Sequence, residues 1–162
     1  MVWLRVAMRA REVVHARGHY NVRAIHRTTI EITKDEYLTA RGDCIVGVAA
    51  DKSASDLSEE FKTLVKRPDS VVFARFTAGG VSDVLVAQGH PGLVLSDNKK
   101  IIIRRSEYLE PATVGVRANK AARDLRRDLV DALRRGAELV VELVVLTLDE
   151  VYSEHAGSRA VL

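Results

Sequence analysis

A chain of 162 residues is long enough for one domain that buries roughly two thirds of its unfolded surface, so it needs no disulfide or metal staple to fold. Hydrophobic residues make up 47% and charged residues 29%, a globular balance that excludes disordered, collagenous and membrane-spanning chains. The net charge of +3 is too small to argue by itself for a nucleic-acid partner.

No apolar run reaches the roughly 20 residues of a spanning helix, and arginines interrupt the opening MVWLRVAMRARE where a signal core would be apolar. The reading is a soluble, cytoplasmic protein with no membrane partner. Cys44 is alone, which excludes an internal disulfide and a four-cysteine zinc site. One Gln, three Asn and two Met stand against 47 formal charges, a usage that resembles thermophilic proteins, where ion-pair networks become favourable.

The alternation of Trp3, Val6 and Met8 opens a strand, and Ile30 and Ile32 mark the inward side of another. Period-two parity then places His26 and Thr28 on the side of the isoleucines, and Thr29, Glu31 and Thr33 on the opposite one. Leu57, Phe61, Leu64 and Val65 at helical spacing predict a helix capped by Asp51 or Ser53, with Pro68 just beyond its end. Val71 to Phe76 reads as a strand, Gly79-Gly80 as a turn, and Ile101 to Arg104 as a strand. Leu125, Leu129, Ala132 and Leu133 predict a second helix capped by Asn119, with Gly136 as a left-handed terminator, before a last strand from Leu139 to Leu148. Residues 149–162, DEVYSEHAGSRAVL, read as a polar tail.

The chain also repeats itself. Val46 to Lys62, VGVAADKSASDLSEEFK, and Val114 to Val130, VGVRANKAARDLRRDLV, share eight identities in 17 positions at an offset of 68. Upstream the match continues at an offset of 71, pairing Val13 with Val84, Gly18-His19 with Gly89-His90, Ile30 and Ile32 with Ile101 and Ile103, and Glu36-Tyr37-Leu38 with Glu107-Tyr108-Leu109. The offset changes because Thr39 to Ile45 stands where the second copy has only Glu110 to Thr113. The fold expectation is therefore α+β and β-rich. Residues 1–148 form a single domain of two strand-strand-strand-helix-strand units, about 13–77 and 84–148, packed sandwich-like about a pseudo-two-fold axis.

Positions polar in only one copy point to specialisation. Copy one reads GHYNVRAIHRTTIEIT where copy two reads GHPGLVLSDNKKIIIR, so the polar set belongs to copy one, with the insertion that supplies Arg41, Gly42, Asp43 and Cys44. GHYNVRAIHRTTIEIT followed by RGDCIVGVAADK resembles an archaeal family known as domain of unknown function 371. The resemblance covers about Val13 to Leu148. It implies an archaeal source and a β-rich fold, and it brings no catalytic residue with it.

The leading functional reading is a copy-one pocket, near the junction of the two copies, for a small anionic and phosphate-bearing ligand. Arg23, Lys52 and a helix start would hold the anion. Asn21, Thr28, Thr29 and Asp43 would orient it, and His19 or His26 would move protons if the protein is an enzyme. His19, His26, Asp43 and Cys44 are weak metal-ligand candidates whose spacing is not diagnostic. Cys44 with His26 would make a nucleophile and base, against the plainer reading of a buried small hydrophobe. The plain reading of Gly18-His19 and Gly89-His90 is a turn in which Gly takes a special backbone angle. A nucleic-acid module using Arg5, Arg9, Arg11, Arg123, Arg127 and Arg134 is the first alternative, and a structural subunit, as a homo-oligomer or with a partner, is the second. No cofactor is specified.

Overall fold

The computed structural model describes the backbone of residues 2–152 and the side chains of residues 8–148. The fold is α+β and strand-rich, with two sheets and two α-helices among the described residues. In chain order the strands are β1 (Val2–Arg17), β2 (Thr29–Thr33), β3 (Ile45–Gly47), β4 (Ser70–Ala78), β5 (Val81–Gln88), β6 (Lys100–Arg104), β7 (Thr113–Gly115) and β8 (Glu138–Tyr152). Helix α1 (Glu59–Val65) and helix α2 (Arg127–Arg134) each follow a short 3-10 turn, at Ala54–Asp56 and Ala122–Asp124. β8 continues to Tyr152, so four residues read as tail belong to a strand. Residues 153–162 of that tail lie outside the described residues.

The first sheet has the order β1-β8-β4-β5 and is antiparallel throughout. Alternation puts Val14, Ala16, Val72, Ala74, Phe76, Leu85, Val141 and Leu143 on one buried face. The second sheet has the order β3-β2-β6-β7, with β2 and β6 antiparallel in the middle and Ile30 opposite Ile103. Its isoleucines meet the first sheet in a single core. The sheets approach so closely that a Cβ on Gly47 would stand 2.7 Å from a Leu139 methyl. Both helices lay apolar faces on the first sheet, with Phe61, Leu64 and Val65 buried on α1 and Leu129, Val130, Ala132 and Leu133 on α2.

β3 runs parallel to β2, so residues 34–44 must cross the second sheet rather than turn back in a hairpin. The consequence is burial of Thr29, Glu31 and Thr33 as well as of Ile30 and Ile32. The parity argument fails at its start, because β2 begins at Thr29 and His26 to Thr28 form the turn before it. The Gly79-Gly80 turn is a two-residue hairpin loop with both glycines at positive φ, as such a turn demands.

Three expectations about local structure are corrected. α1 is capped by Ser58, whose Oγ accepts the Phe61 N–H at 3.1 Å, because the 3-10 turn intervenes between Ser53 and the helix. Asp51 and Asn119 cap nothing. Their side-chain oxygens accept the N–H groups of His15 and Val86, pinning the loops after β3 and β7 to the edges of the first sheet. Gly18 and Gly89 do not need a left-handed backbone. They are glycines because a Cβ would stand 2.0 Å from the Leu133 carbonyl oxygen and 2.2 Å from that of Val65, respectively. Gly136, at φ +82°, is the left-handed terminator of α2.

Candidate functional site

The polar residues of copy one are brought partly together. His26 Nδ1 accepts the N–H groups of Thr28 at 3.2 Å and Thr29 at 3.1 Å. In a neutral ring its proton is then on Nε2. The position aligned with it is Asp97, which accepts the N–H groups of Lys99 and Lys100, each at 2.8 Å. One ring nitrogen of His26 is thus doing what an aspartate does in a turn. Ile25 and His26 donate their N–H groups to the Asp43 carbonyl, Arg23 reaches the Asp43 carboxylate at 3.4 Å, and Asn21 Nδ2 donates to the Leu38 carbonyl at 2.7 Å. Asn21, Arg23, Asp43, His26 and Thr28 therefore share one stretch of surface, with Thr29 buried beneath it.

Lys52 stands apart from them. Its Nζ lies 3.6 Å from Glu12 on β1, and α1 is only seven residues long and begins at Glu59. The helix-start anion seat with Lys52 is not assembled.

Cys44 faces Glu31 instead of His26, with Sγ 3.9 Å from Oε1. Burial and the neighbouring Glu31 carboxylate push the thiol up to about 11, so it is a poor nucleophile at neutral pH. Glu31, 8% exposed, is itself pushed up by burial. Beside it Arg104 donates to Thr29 and pairs with Glu110 at 2.7 Å while lying over the Tyr108 ring, so most of this cluster is internally satisfied. Among the described residues no three His, Cys, Asp or Glu side chains stand together as a metal site, and the quartet His19, His26, Asp43 and Cys44 is no exception.

The arginine-rich helix is also largely committed. The Arg127 guanidinium donates to the carbonyls of Ala24, Ala122, Arg123 and Leu125, Arg123 lies beside Asp124, and Arg126 pairs with Asp128. Arg11 pairs with Glu142.

A cleft that sequence reasoning did not single out lies at the end of β1. One cavity of about 370 Å³ is lined by His15, Ala16, Arg17, Ala49, Asp51, Gly136 and Glu138. A second, of about 250 Å³, is lined by Arg17, Gly18, His19, Glu36, Val48 and Ala49. They meet at Arg17 and Ala49. The cleft forms because the chain after β3 is laid against the edge of β1: Arg17 and Val48 exchange backbone hydrogen bonds, and Asp51 bonds His15 through both its N–H and its carboxylate.

Ala49 makes the bend with φ +53°, a left-handed conformation that costs a residue with a Cβ roughly 1–2 kcal/mol. Of its ionic groups, His15 lies 3.7 Å from Glu138, whereas the Arg17 guanidinium has no partner among the described residues. His19 Nδ1 accepts the Asn21 N–H at 3.0 Å, and its ring stacks on Tyr20. His19 thus joins the cleft to the Asn21 surface. The alternation of His15 and Arg17 and the substitution of Ala49 for an aligned arginine were the available sequence signals.

The family model described as Domain of unknown function (DUF371) matches residues 14–146. A relative from Methanocaldococcus jannaschii, named only as an uncharacterized protein, is 41% identical over 133 residues, which cover 82% of this chain and 98% of the relative.

Proposed function

Because this chain belongs to the domain of unknown function 371 family, and that membership brings no activity with it, we propose from the chemistry of its surface that it binds a small anionic ligand in the cleft at the end of β1. The observation that carries the reading is that Arg17 lines both cavities and its guanidinium has no partner among the described residues. Arg17 would take the anionic group bidentately, as guanidinium does with phosphate or carboxylate. His19 Nδ1 accepts the Asn21 N–H, so in the neutral ring Nε2 carries the proton and would donate a hydrogen bond to the ligand. Asn21, Arg23, Asp43 and Thr28 would form the adjoining wall, with His26 shaping it through its turn and Thr29 buried behind it. A thermal melt of the full chain with inorganic phosphate and phosphate-bearing metabolites tests the reading. A ligand at a hundredfold excess over its Kd raises stability by about 2.7 kcal/mol. Arg17→Ala should remove the shift, and a shift that survives it excludes this cleft.

We further propose that the fold arose by duplication and has a pseudo-two-fold axis. Both sheet orders read the same when β1 is exchanged with β5, β2 with β6, β3 with β7 and β4 with β8. The bridges Arg17 to Val48 and Gln88 to Val116, and the ion pairs Lys52–Glu12 and Lys120–Asp83, fall on aligned positions. The charge-rich composition, poor in Gln, Asn and Met, supports a thermophilic protein, and the single cysteine is compatible with the cytoplasm.

One observation favours a second reading, a subunit of an assembly. The face of the first sheet away from the core carries Val13, Val71, Phe73, Val84, Val86, Val140, Val144 and Leu146 around the Arg11–Glu142–Arg75 cluster, with Phe73 and Val84 exposed. Light scattering after size exclusion tests it, and a monomer at high concentration with no partner removes it.

A further inference from the structure

We propose that the narrower half of the cleft is a subsite for a guanidinium or primary ammonium group, bound by Glu36, so that the ligand carries a cationic end as well as the anionic end that reaches Arg17. The inference rests on the reading of the cleft as a ligand site and adds the chemical class of the ligand.

Two bends of the chain share a geometry and differ in content. Ala49 aligns with Arg117, and Glu36 with Glu107. Ala49 has φ +53° and Arg117 φ +52°. The N–H of Ala49 donates to the Asp35 carbonyl at 2.7 Å, and that of Arg117 to the Ser106 carbonyl at 3.1 Å, again aligned positions. The backbones therefore place residues 49 and 117 alike relative to the glutamates.

At the second bend the Arg117 guanidinium closes on Glu107, with Nε 2.7 Å from Oε1 and a further contact from Nη2. At the first bend a methyl group stands where the guanidinium chain would begin. Glu36 is left with no hydrogen-bond or ion-pair partner among the described residues, and it lines the cavity of about 250 Å³ together with Ala49, Arg17 and His19.

A guanidinium is a strong, planar donor to a carboxylate, and at Glu107 the chain itself shows one such group closing on it, with Arg117 Nε and Nη2 converging on Oε1. Tyr20, exposed and stacked on the His19 that lines the cavity, presents the outer face of its phenol ring, which favours a cation. Glu36 and Arg17 line the same cavity, so one small molecule with opposite charges at its ends can reach both.

Calorimetric titration of the full chain with agmatine, arginine and inorganic phosphate, each at low ionic strength, tests the inference. Agmatine offers cationic groups only, phosphate anionic charge only, and arginine a guanidinium at one end and a carboxylate at the other. Agmatine should bind, arginine should bind at least tenfold tighter, and Glu36→Gln should weaken agmatine tenfold or more while leaving phosphate binding unchanged. Ala49→Arg should retain the wild-type melting temperature, since Arg117 holds the same φ, and should abolish agmatine binding by filling the subsite from within.

Absence of agmatine binding, or agmatine affinity unchanged in Glu36→Gln, overturns the cationic subsite. If phosphate binds while agmatine does not, the subsite alone fails. If agmatine binds through Glu36 while phosphate does not bind and arginine gains nothing, the anionic reading alone fails.

Discussion

Replacing Gly18 by alanine tests how the end of β1 is held against α2. The added Cβ would sit 2.0 Å from the Leu133 carbonyl oxygen and 2.7 Å from its carbonyl carbon and Cα, all backbone atoms with no rotamer to give way. Relief requires the strand end to move away from the helix end, which strains the 2.8 Å bond from the Gly18 N–H to the Ala137 carbonyl and the neighbouring Arg17–Val48 bridge. Overpacking costs about 1–3 kcal/mol and a lost backbone hydrogen bond about 1 kcal/mol more, so the expected loss is about 3 kcal/mol. For a domain of this length that lowers Tm by roughly 6–12 °C. Gly80→Ala is the matched control: no atom lies within 4 Å of its Cβ and only the φ of +78° penalises it, at about 1–2 kcal/mol. Circular dichroism melts of the two variants in parallel separate close approach from backbone angle. A Gly18→Ala protein that melts at or above the temperature of Gly80→Ala would refute the argument.

Removing His26 should act first on the turn, not on chemistry. His26→Ala is expected to cost about 1–2 kcal/mol by urea titration through two orphaned N–H groups, and His26→Asp to recover most of it, as Asp97 does at the aligned turn. The Asp56 carboxyl is held down to about 2 by hydrogen bonds from Lys34 and from the Ser53 N–H and hydroxyl, against an ordinary value of 3.8. A depressed acid stabilises the fold above its unfolded value, and the contribution is lost as pH falls from about 4 through about 2. Because the group is partly exposed, that contribution is under about 1 kcal/mol. Acid titrations of Asp56→Asn should lack this segment of the pH dependence. Cys44, pushed up to about 11 by burial and Glu31, should resist iodoacetamide at pH 8 in the folded chain and react at the ordinary thiol rate in urea.

The fold class was legible because apolar spacing is a local property. Phe61, Leu64 and Val65, and Leu129, Ala132 and Leu133, are buried on the helices where their period puts them, whereas Leu57 and Leu125 are buried from the extended residues that join each 3-10 turn to its helix. The caps were not legible, since Ser53 and Ser58 are chemically alike and only the intervening 3-10 turn decides between them. His26 was misplaced for a related reason. Parity extends only as far as the strand, and the turn that ends it is made by the His26 ring itself. The candidate site was half visible. His19 was marked by its recurrence beside a glycine, but the cleft it lines depends on β1 lying beside the chain after β3, a pairing that only the folded topology reveals. The clearest signal, alanine at 49 where the aligned position has arginine, lay inside the strongest stretch of the repeat and reads as noise until Glu107 is seen to hold Arg117.

The pairing of β1 with β8 brings together residues as far apart as Met8 and Thr147, which are 139 positions distant and joined by a hydrogen bond. During synthesis β1 therefore waits, with Ala10, Val14 and Ala16 of its inner face uncovered, until β8 has been made. β8 also lies between β1 and β4, so the first sheet cannot close early by joining its other members. Sheet completion must be a late event, slow by the measure of contact order. Until then β1 is exposed to chaperones and to like chains, which makes Arg9 and Arg11 on that strand guards against premature association.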